Sequence, residues 1–439
     1  MEISENKIYK LPDFKIVQYN EYFLAIAVNY ARWLVLTKSI QIDILQMLQS
    51  GKMVGEVMTF YKDFFDDAIC VLTQIEAIGI EHLTPKSIFD NKRLHLHLTN
   101  KCNLRCPHCY MNSGVASENE LTTDEIKMLC KNFVDMGGYL VSITGGEPLL
   151  RDDFFEIIEY ISNIGLKICI FSNGIAWNEN LISRMARLNI EGVQISIDGY
   201  DEESNSQIRG KKSFKKALDT IDLLVKYNIS VKVAITPLYS LLEAHADRYI
   251  AFAKELINKY GSNAISVNFS YALMSGREID QEQISAEKEK YFNAVDKIVN
   301  SVYGDVAIDS FVENIADGIY DSCGYGGLNV MANGDFYFCD RIPDTVKAGN
   351  IRDLSFKKIS KLIKLAEEAG RIDNFKPCCF CELKYICGGG CRIEFWGDFA
   401  RTTDVRKIDF DKISPKICES DFKENIYLKM IQTFERFYR

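Results

Sequence analysis

Three cysteines fall within eight residues, Cys102, Cys106 and Cys109, in the stretch Lys101-Cys102-Asn103-Leu104-Arg105-Cys106-Pro107-His108-Cys109-Tyr110. Three thiolates can hold three irons of a cubane cluster, and the fourth iron then keeps an open position for a small-molecule ligand. The same short spacing also serves structural zinc, with a histidine or a distant cysteine as fourth ligand. A second group follows much later: Cys323, Cys339, Cys378, Cys379, Cys381, Cys387, Cys391 and Cys418. Its Cys-x2-Cys step suits a zinc ribbon as well as an iron–sulfur site. Cys70, Cys130 and Cys169 stand at apolar positions and read as plain core residues.

The first cysteine loop needs a rigid mount. Leu94-His95-Leu96-His97-Leu98 directly precedes it with a strict period of two, the pattern of a strand. The loop therefore leaves the C-terminal end of a strand, where α/β barrels carry their chemistry. From there the pattern alternates. Strands are expected at 94–98, 139–144, 167–172, 193–198, 230–236 and 264–270, with helices between them. One helix opens on the capping box Thr122-Thr123-Asp124-Glu125, carries Ile126, Leu129, Cys130 and Phe133 on one face, and stops at Gly137-Gly138. Another opens at Ser213 with Phe214, Ala217, Leu218, Ile221 and Leu224 in register. Six β/α repeats predict an α/β fold, a parallel sheet rolled into a partial (β/α)6, TIM-like barrel. No seventh or eighth strand is legible.

Further candidate groups sit at the predicted strand ends. Gly145-Gly146-Glu147-Pro148 ends the second strand; glycines there would let a ligand approach the backbone, and Glu147 can accept a hydrogen bond from an ammonium group. Taken alone, the four residues also fit an ordinary turn. The third strand ends in Ser172-Asn173 and the fourth in Ser196-Ile197-Asp198, and Arg209 follows.

Cys-x3-Cys-x2-Cys with His108 before the last cysteine resembles the radical S-adenosylmethionine (SAM) superfamily, over about Tyr22 to Cys418. In that family the open iron chelates the amino and carboxylate groups of SAM, and one electron cleaves SAM to a 5′-deoxyadenosyl radical that abstracts a substrate hydrogen. The resemblance implies that Cys102, Cys106 and Cys109 hold a [4Fe-4S] cluster, with His108 and Tyr110 beside it. It implies that Gly145, Gly146 and Glu147 meet the methionine amino group, and that Ser172, Asn173, Ser196 and Asp198 lie where the ribose is held. Arg209 would reach the SAM carboxylate; a surface arginine is the plain alternative. The later cysteines resemble the SPASM extension, which binds two auxiliary [4Fe-4S] clusters, making three in all. By that resemblance Cys378, Cys381, Cys387 and Cys418 ligate one, and Cys323, Cys339 and Cys391 the nearer one. Its fourth position is open to Asp317, to Cys379 or to substrate, since Phe311–Ser322 has no cysteine. Cys323-x10-Gly334-x4-Cys339 should be a hairpin turning at Asn333-Gly334. Asp340, directly after Cys339, falls where sulfatase-maturing relatives place a proton-accepting aspartate; an exposed hairpin carboxylate is the alternative.

Ahead of the barrel, 22–28 and 32–37 read as paired strands. Ser39 is a candidate helix cap. Ile40, Ile44, Leu45 and Leu48 then recur at helical spacing up to Gly51, and a further helix is expected over 63–77. Such a winged-helix-like unit of residues 1–90 resembles the peptide-recognition domain fused to many peptide maturases, in which a leader peptide adds a strand to a sheet edge. The partial barrel would then span 91–305, including a charged helix with Tyr291, Val295 and Ile298. The Fe–S region would span 306–439 and end in a helix carrying Ile426, Met430, Ile431 and Phe434.

Composition narrows the function. The 439 residues are long enough for two to four domains, and 47% hydrophobic content can fill large cores. A net charge of −9 and a pI near 5.3 argue against nucleic acid. The polar start Met1-Glu2-Ile3-Ser4-Glu5-Asn6-Lys7 has no apolar signal core, and no apolar run is long enough to span a membrane. Fourteen cysteines then suit metal ligation in a reducing, cytoplasmic compartment. The leading expectation is a maturase that crosslinks side chains of a ribosomally made (RiPP) precursor peptide through a carbon–carbon or thioether bond. It would be fed by a one-electron reductant such as flavodoxin or ferredoxin. The alternatives are sulfatase-maturase-like oxidation of a Cys or Ser on a protein partner, and a zinc-stapled DNA-binding regulator.

Overall fold

The structure, a computed structural model, describes residues 3–79, 93–304, 323–400, 404–414, 418 and 420–437. The expected domain boundaries near 90 and 305 lie outside these residues, as does Phe311–Ser322 with Asp317.

Three antiparallel strands open the chain: β1 (Lys15–Tyr19), β2 (Tyr22–Ala27) and β3 (Arg32–Leu36), paired in that order. The sequence pattern showed β2 and β3 and missed β1, whose residues are exposed or half-buried and lack a clean apolar alternation. Helices α1 (Ser39–Gln49), α2 (Val54–Phe60) and α3 (Phe65–Ile78) follow. Ser39 is the first helical residue of α1 and makes no cap bond; the cap position is Lys38, in extended conformation. Period-2 patterning gives the sheet two buried faces. Ala25, Ala27, Leu34 and Leu36 pack with Ile44, Leu45, Leu48 and Leu72 of the helices. Leu24, Ile26 and Val35 share the main core with Met430, Ile431 and Phe434 of the C-terminal helix, Ser420–Phe437.

Two buried glutamines cover backbone groups at Val35 of β3 and at Thr37 just beyond its end. Gln74 accepts from the Val35 amide at 2.9 Å and donates to the Val35 carbonyl at 3.0 Å, as a neighbouring strand would. Gln41 accepts from the Thr37 amide at 2.8 Å and donates to Asp67 at 2.9 Å. Such side-chain cover satisfies edge groups that otherwise recruit another chain. Among the described residues no hydrogen bond reaches the outer edge of β1.

The barrel begins with β4 (Arg93–His97) and α4 (Thr123–Asp135), then β5 (Leu140–Thr144), α5 (Phe154–Asn163), β6 (Lys167–Ser172), α6 (Glu179–Met185) and β7 (Ile190–Ser196). Helices α7 (Glu202–Arg209) and α8 (Ser213–Lys226) precede β8 (Val231–Ile235), α9 (Tyr239–Tyr260), β9 (Ile265–Phe269) and α10 (Gln281–Tyr303). All six strands pair in parallel, in chain order. Leu94, Leu96, Val141 and Ile143 are fully buried under the helices, and alternation turns His95, His97, Ser142 and Thr144 to the other, inner face.

The partial barrel does not stop at six strands. β10 (Leu328–Val330) pairs in parallel with β4, and β11 (Asp335–Tyr337) and β12 (Gly349–Asn350) extend the sheet to nine strands. The expected Cys323–Cys339 hairpin, with Gly334 in the left-handed region at φ +86°, thus lies on the barrel's open side, beside the first cysteine loop. Strands of two or three residues carry too little periodicity to be read from sequence.

The hairpin is tied to α4 at its first turn. Thr122 caps α4 and Glu125 completes the capping box. Glu125 also takes a bidentate pair from Arg352, at 2.5 and 2.8 Å, while Arg352 reaches the Asn119 and Asn333 carbonyls. This pairing holds the Glu125 carboxyl down at about 2, below its ordinary 4.5. A depressed acid stabilises the fold above the unfolded-state value and loses that contribution as pH falls towards the folded one. Glu125→Gln should therefore lower the thermal midpoint at pH 7, and the gap to wild type should close between about pH 4.5 and 2. A gap independent of pH would contradict the assignment.

Candidate functional site

The first cysteine loop leaves β4 and returns on itself through backbone bonds from Cys102 N to Gly114 O and from Gly114 N to Asn100 O, both 3.0 Å. Glu120 fixes the loop's base, accepting from the Asn100 and Ser117 amides at 2.8 Å. Cys102, Cys106 and Cys109 line one cavity of about 270 Å³, together with His108, Tyr110, Gly145, Gly146, Ser172, Asn173, Ser196 and Arg209. The ends of β4 to β8 thus converge on the three thiols.

Among the described residues no three His, Cys, Asp or Glu side chains converge on the position of a single metal ion. The cysteines surround a space instead, and backbone amides point at their sulfurs: Leu104 N at 3.4 Å from Cys102 Sγ, Ser113 N at 3.5 Å from Cys109 Sγ. Three thiols around a cavity, with amide donors to sulfur, fit a polynuclear cluster. Burial pushes the Cys102 and Cys106 thiols up, and the Arg209 guanidinium opposes this.

The glycines of Gly145-Gly146 serve packing as well as access. A Cβ on Gly145 would lie 2.4 Å from the Thr99 carbonyl oxygen, and one on Gly146 2.3 Å from that of Lys101. The β5 loop therefore lies directly on the cysteine loop, and Gly146 and Glu147 donate amides to Thr99 and Lys101.

Two expected cofactor contacts, Glu147 and Asp198, are fully buried and do not line the cavity. Glu147 accepts from Ser172 Oγ at 2.9 Å and from the Asn173 amide at 2.8 Å; burial raises its carboxyl to about 7 against those bonds. Asp198 accepts from Arg209 Nε at 2.6 Å and the Thr236 amide at 2.8 Å, and His108 Nε2 lies 3.3 Å away. The cavity wall is thus built from Ser172, Asn173, Arg209 and His108, and the two carboxylates brace it from behind. Arg209 is no surface residue. His108 Nδ1 is buried without a hydrogen-bond partner, and burial holds its ring below the ordinary histidine range.

Of the second group, Cys323, Cys339 and Cys391 lie within electrostatic reach of one another. Arg341 Nη1 lies 3.8 Å from Cys391 Sγ. Cys381 and Cys418 both neighbour Tyr427 of the C-terminal helix, and Cys378 to Cys387 form a compact run of turns. Asp340 is exposed; burial first, and then the Asp340 charge, pushes up the Tyr110 hydroxyl, and the same charge opposes the lowering of His95 of β4 by burial. Cys130 is the core residue expected, at 0% exposure. Cys70 is half-buried and packs against the core; Cys169 departs from that reading. Cys70 also meets the Gln74 amide, whereas Cys169 is half-buried and faces Glu191, Lys232, Arg93 and Lys167 on the inner side of the sheet.

Sequence reasoning missed the arginines that organise these loops, because single cations carry no motif. Arg151 binds the Leu98 and Leu121 carbonyls. Arg392, fully buried, binds those of Gly370, Gly388 and Gly390. Arg277 binds the cysteine loop itself.

A second cavity, about 620 Å³, lies between α10 and the C-terminal region. Tyr271, Met274, Tyr291 and Ile393 give it apolar walls; Lys288, Arg341 and Glu394 give it charge. Both cavities share Ala272, Leu273 and Met274.

Residues 96–253 match the model of the Radical SAM superfamily. The mycofactocin maturase MftC of Mycolicibacterium smegmatis is 28% identical over 306 residues, 67% of this chain and 76% of that protein. An AdoMet-dependent heme synthase of Methanosarcina barkeri is 25% identical over 67% of this chain and 89% of its own. The antilisterial bacteriocin subtilosin biosynthesis protein AlbA of Bacillus subtilis is 26% identical over 75% of both chains. Among solved structures, native anSMEcpe with bound AdoMet superposes with a TM-score of 0.55 at 18% identity, covering 79% of this chain and 97% of that one; at that identity the likeness concerns the fold. No helix among the described residues is long and apolar enough to cross a membrane.

Proposed function

This chain carries a radical SAM domain and is an enzyme that works with SAM and a [4Fe-4S] cluster, and from that premise we propose that it crosslinks side chains within a ribosomally made precursor peptide. The observation that carries the reading is the pair of adjoining cavities. One is ringed by Cys102, Cys106 and Cys109; the other is large, partly apolar, and opens between the barrel and the cysteine-rich C-terminal region. When bound, the cluster and SAM supply a carbon-centred radical that removes a hydrogen atom from whatever occupies the neighbouring space. The chain's own residues hold that source in place. Cys102, Cys106 and Cys109 are the cluster ligands, and Gly145 and Gly146 keep the wall thin. Ser172, Asn173, Ser196 and Arg209 present hydroxyls, an amide and a cation to the polar parts of the cofactor.

Closing a crosslink removes two hydrogens from the peptide. One leaves as a hydrogen atom, forming 5′-deoxyadenosine; the other leaves as a proton and an electron. Asp340, whose charge acts on Tyr110, is the candidate to take the proton. The groups Cys323/Cys339/Cys391 and Cys378/Cys381/Cys387/Cys418 would hold two auxiliary clusters, which would supply an acceptor for the electron. The names of MftC and AlbA, a maturase and a bacteriocin biosynthesis protein, favour a peptide over a heme precursor.

The N-terminal unit is the candidate leader-binding module. Gln74 covers Val35 of β3 and Gln41 covers the Thr37 amide just beyond it, so an extended leader segment would meet open backbone along β1.

The test is anaerobic incubation of the reconstituted enzyme, SAM and reductant with the small peptide encoded beside its gene. Mass spectrometry should find the peptide lighter by two hydrogens and still one chain. An unchanged peptide alongside abundant 5′-deoxyadenosine would refute the assignment of substrate. A peptide oxidised at a lone Cys or Ser, with no crosslink, would favour the sulfatase-maturase-like alternative.

A further inference from the structure

The segment after β9 is a strap joining the two cavities. Ala272, Leu273 and Met274 form a wall common to both, and Leu273 is 8% exposed. A few residues on, the same segment lies against the backbone of the cysteine loop. A Cβ on Gly276 would come within 2.8 Å of the His108 carbonyl and 3.1 Å of the Cys109 carbonyl carbon. Glu278 N donates to Pro107 O at 2.8 Å.

Arg277 fastens this contact. Its Nη1 donates to Cys106 O at 3.0 Å and its Nε to Asn112 Oδ1 at 2.9 Å, and Nη2 donates to Ser113 O. One guanidinium therefore gathers three acceptors of the loop, from the second cysteine to beyond the third. Asn112 sits in the left-handed region at φ +48°, so the loop's return is tight where Arg277 grips it. A planar fork of donors can satisfy such divergent acceptors at once, and a lysine ammonium cannot match its geometry.

We propose that Arg277 is a positioning residue. It holds the cysteine loop in register with the strap, and so fixes the distance between the radical source and the substrate whose cavity the strap also lines. The argument for the loop needs only the cysteine site; the argument for coupling rests on the peptide reading above. Radical transfer is productive only when the acceptor C–H lies against its source, and small misplacements are costly. A loosened strap should let SAM be cleaved without a substrate hydrogen being taken.

Three measurements on the full-length reconstituted protein test this, using Arg277→Ala and Arg277→Lys. The first is the rate at which a ferrous chelator strips iron. Outer-shell partners commonly contribute about 10–100-fold to metal affinity, so Arg277→Ala should lose iron at least about tenfold faster than wild type, with Arg277→Lys in between. The second is the ratio of 5′-deoxyadenosine to modified peptide, which should rise several-fold. The third is the thermal midpoint, which identifies a variant that has merely unfolded; Arg277→Lys then carries the test. Wild-type iron retention in both variants would overturn the proposal. Faster iron loss with an unchanged ratio would overturn the coupling and keep the clamp. If wild type itself modifies no peptide, the substrate assignment fails while the iron-loss result still decides the role of Arg277.

Discussion

Cys106→Ser is expected to abolish SAM cleavage while leaving the protein folded. Cys106 lies on a surface loop, half-exposed, and its sulfur faces the cavity with those of Cys102 and Cys109. A serine in its place disturbs no apolar core. What it removes is one of three thiolates, and oxygen at that position is a poor ligand for iron in a cluster. Changing partners beyond the ligands already costs about 10–100-fold. Loss of a ligand should thus lower 5′-deoxyadenosine formation by more than about a hundredfold, and Cys102→Ser and Cys109→Ser should do the same. Cys391→Ser makes the informative contrast. Cys391 lies with Cys323 and Cys339 and does not itself line the SAM cavity, so that variant should still cleave SAM under strong reduction while losing crosslinked product. Chromatography of 5′-deoxyadenosine beside mass spectrometry of the peptide separates the two. Normal 5′-deoxyadenosine from Cys106→Ser would remove the basis of the whole site.

How much of this was visible in the sequence depends on periodicity and spacing. Leu94 to Leu98, Lys167 to Ser172 and the Thr122 capping box declare themselves because local pattern and global fold agree there. The three cysteines declare themselves because short ligand spacing is a local property. Three things were hidden for physical reasons. β10 to β12 are two or three residues each, shorter than any periodic signal, so their extension of the barrel sheet could not be foreseen. Glu147 and Asp198 stand in motif positions, but whether a carboxylate faces a cavity or braces its wall is decided by tertiary packing. Arg277 and Arg392 act on carbonyls far away in sequence, and nothing in their neighbours marks them. The glutamines at β3 belong with these: Gln41 and Gln74 look like ordinary polar helix residues, yet each is 2% exposed and satisfies backbone groups on the strand or just beyond its end.

Asp198 supplies the sharpest test of wall against contact. Its carboxylate joins four parts of the site: the end of β7, Arg209 at the end of α7, the Thr236 amide after β8, and His108 in the cysteine loop. Tyr249 also donates to its carbonyl, at 2.9 Å. Arg209 has only 12% of its side chain exposed, so Asp198→Ala leaves a largely buried cation without its partner. Breaking a buried pair from one side typically costs about 3–5 kcal/mol, and a clear fall in thermal midpoint should follow. Asp198→Asn keeps the shape and an oxygen for the Thr236 amide but removes the charge. That variant should fold, bind SAM at least about tenfold more weakly, and change the cluster's electron paramagnetic resonance response to SAM, because Arg209 is no longer held to the cavity. The decisive experiment is a double-mutant cycle with Arg209→Lys. If Asp198 acts through Arg209, the two losses of SAM affinity must not add, with a coupling within the about 0.5–3 kcal/mol seen for residues in contact. Were Asp198 instead a direct hydrogen-bond partner of the ribose, the losses would add and a 2′-deoxyribose analogue of SAM would be insensitive to Asp198→Asn.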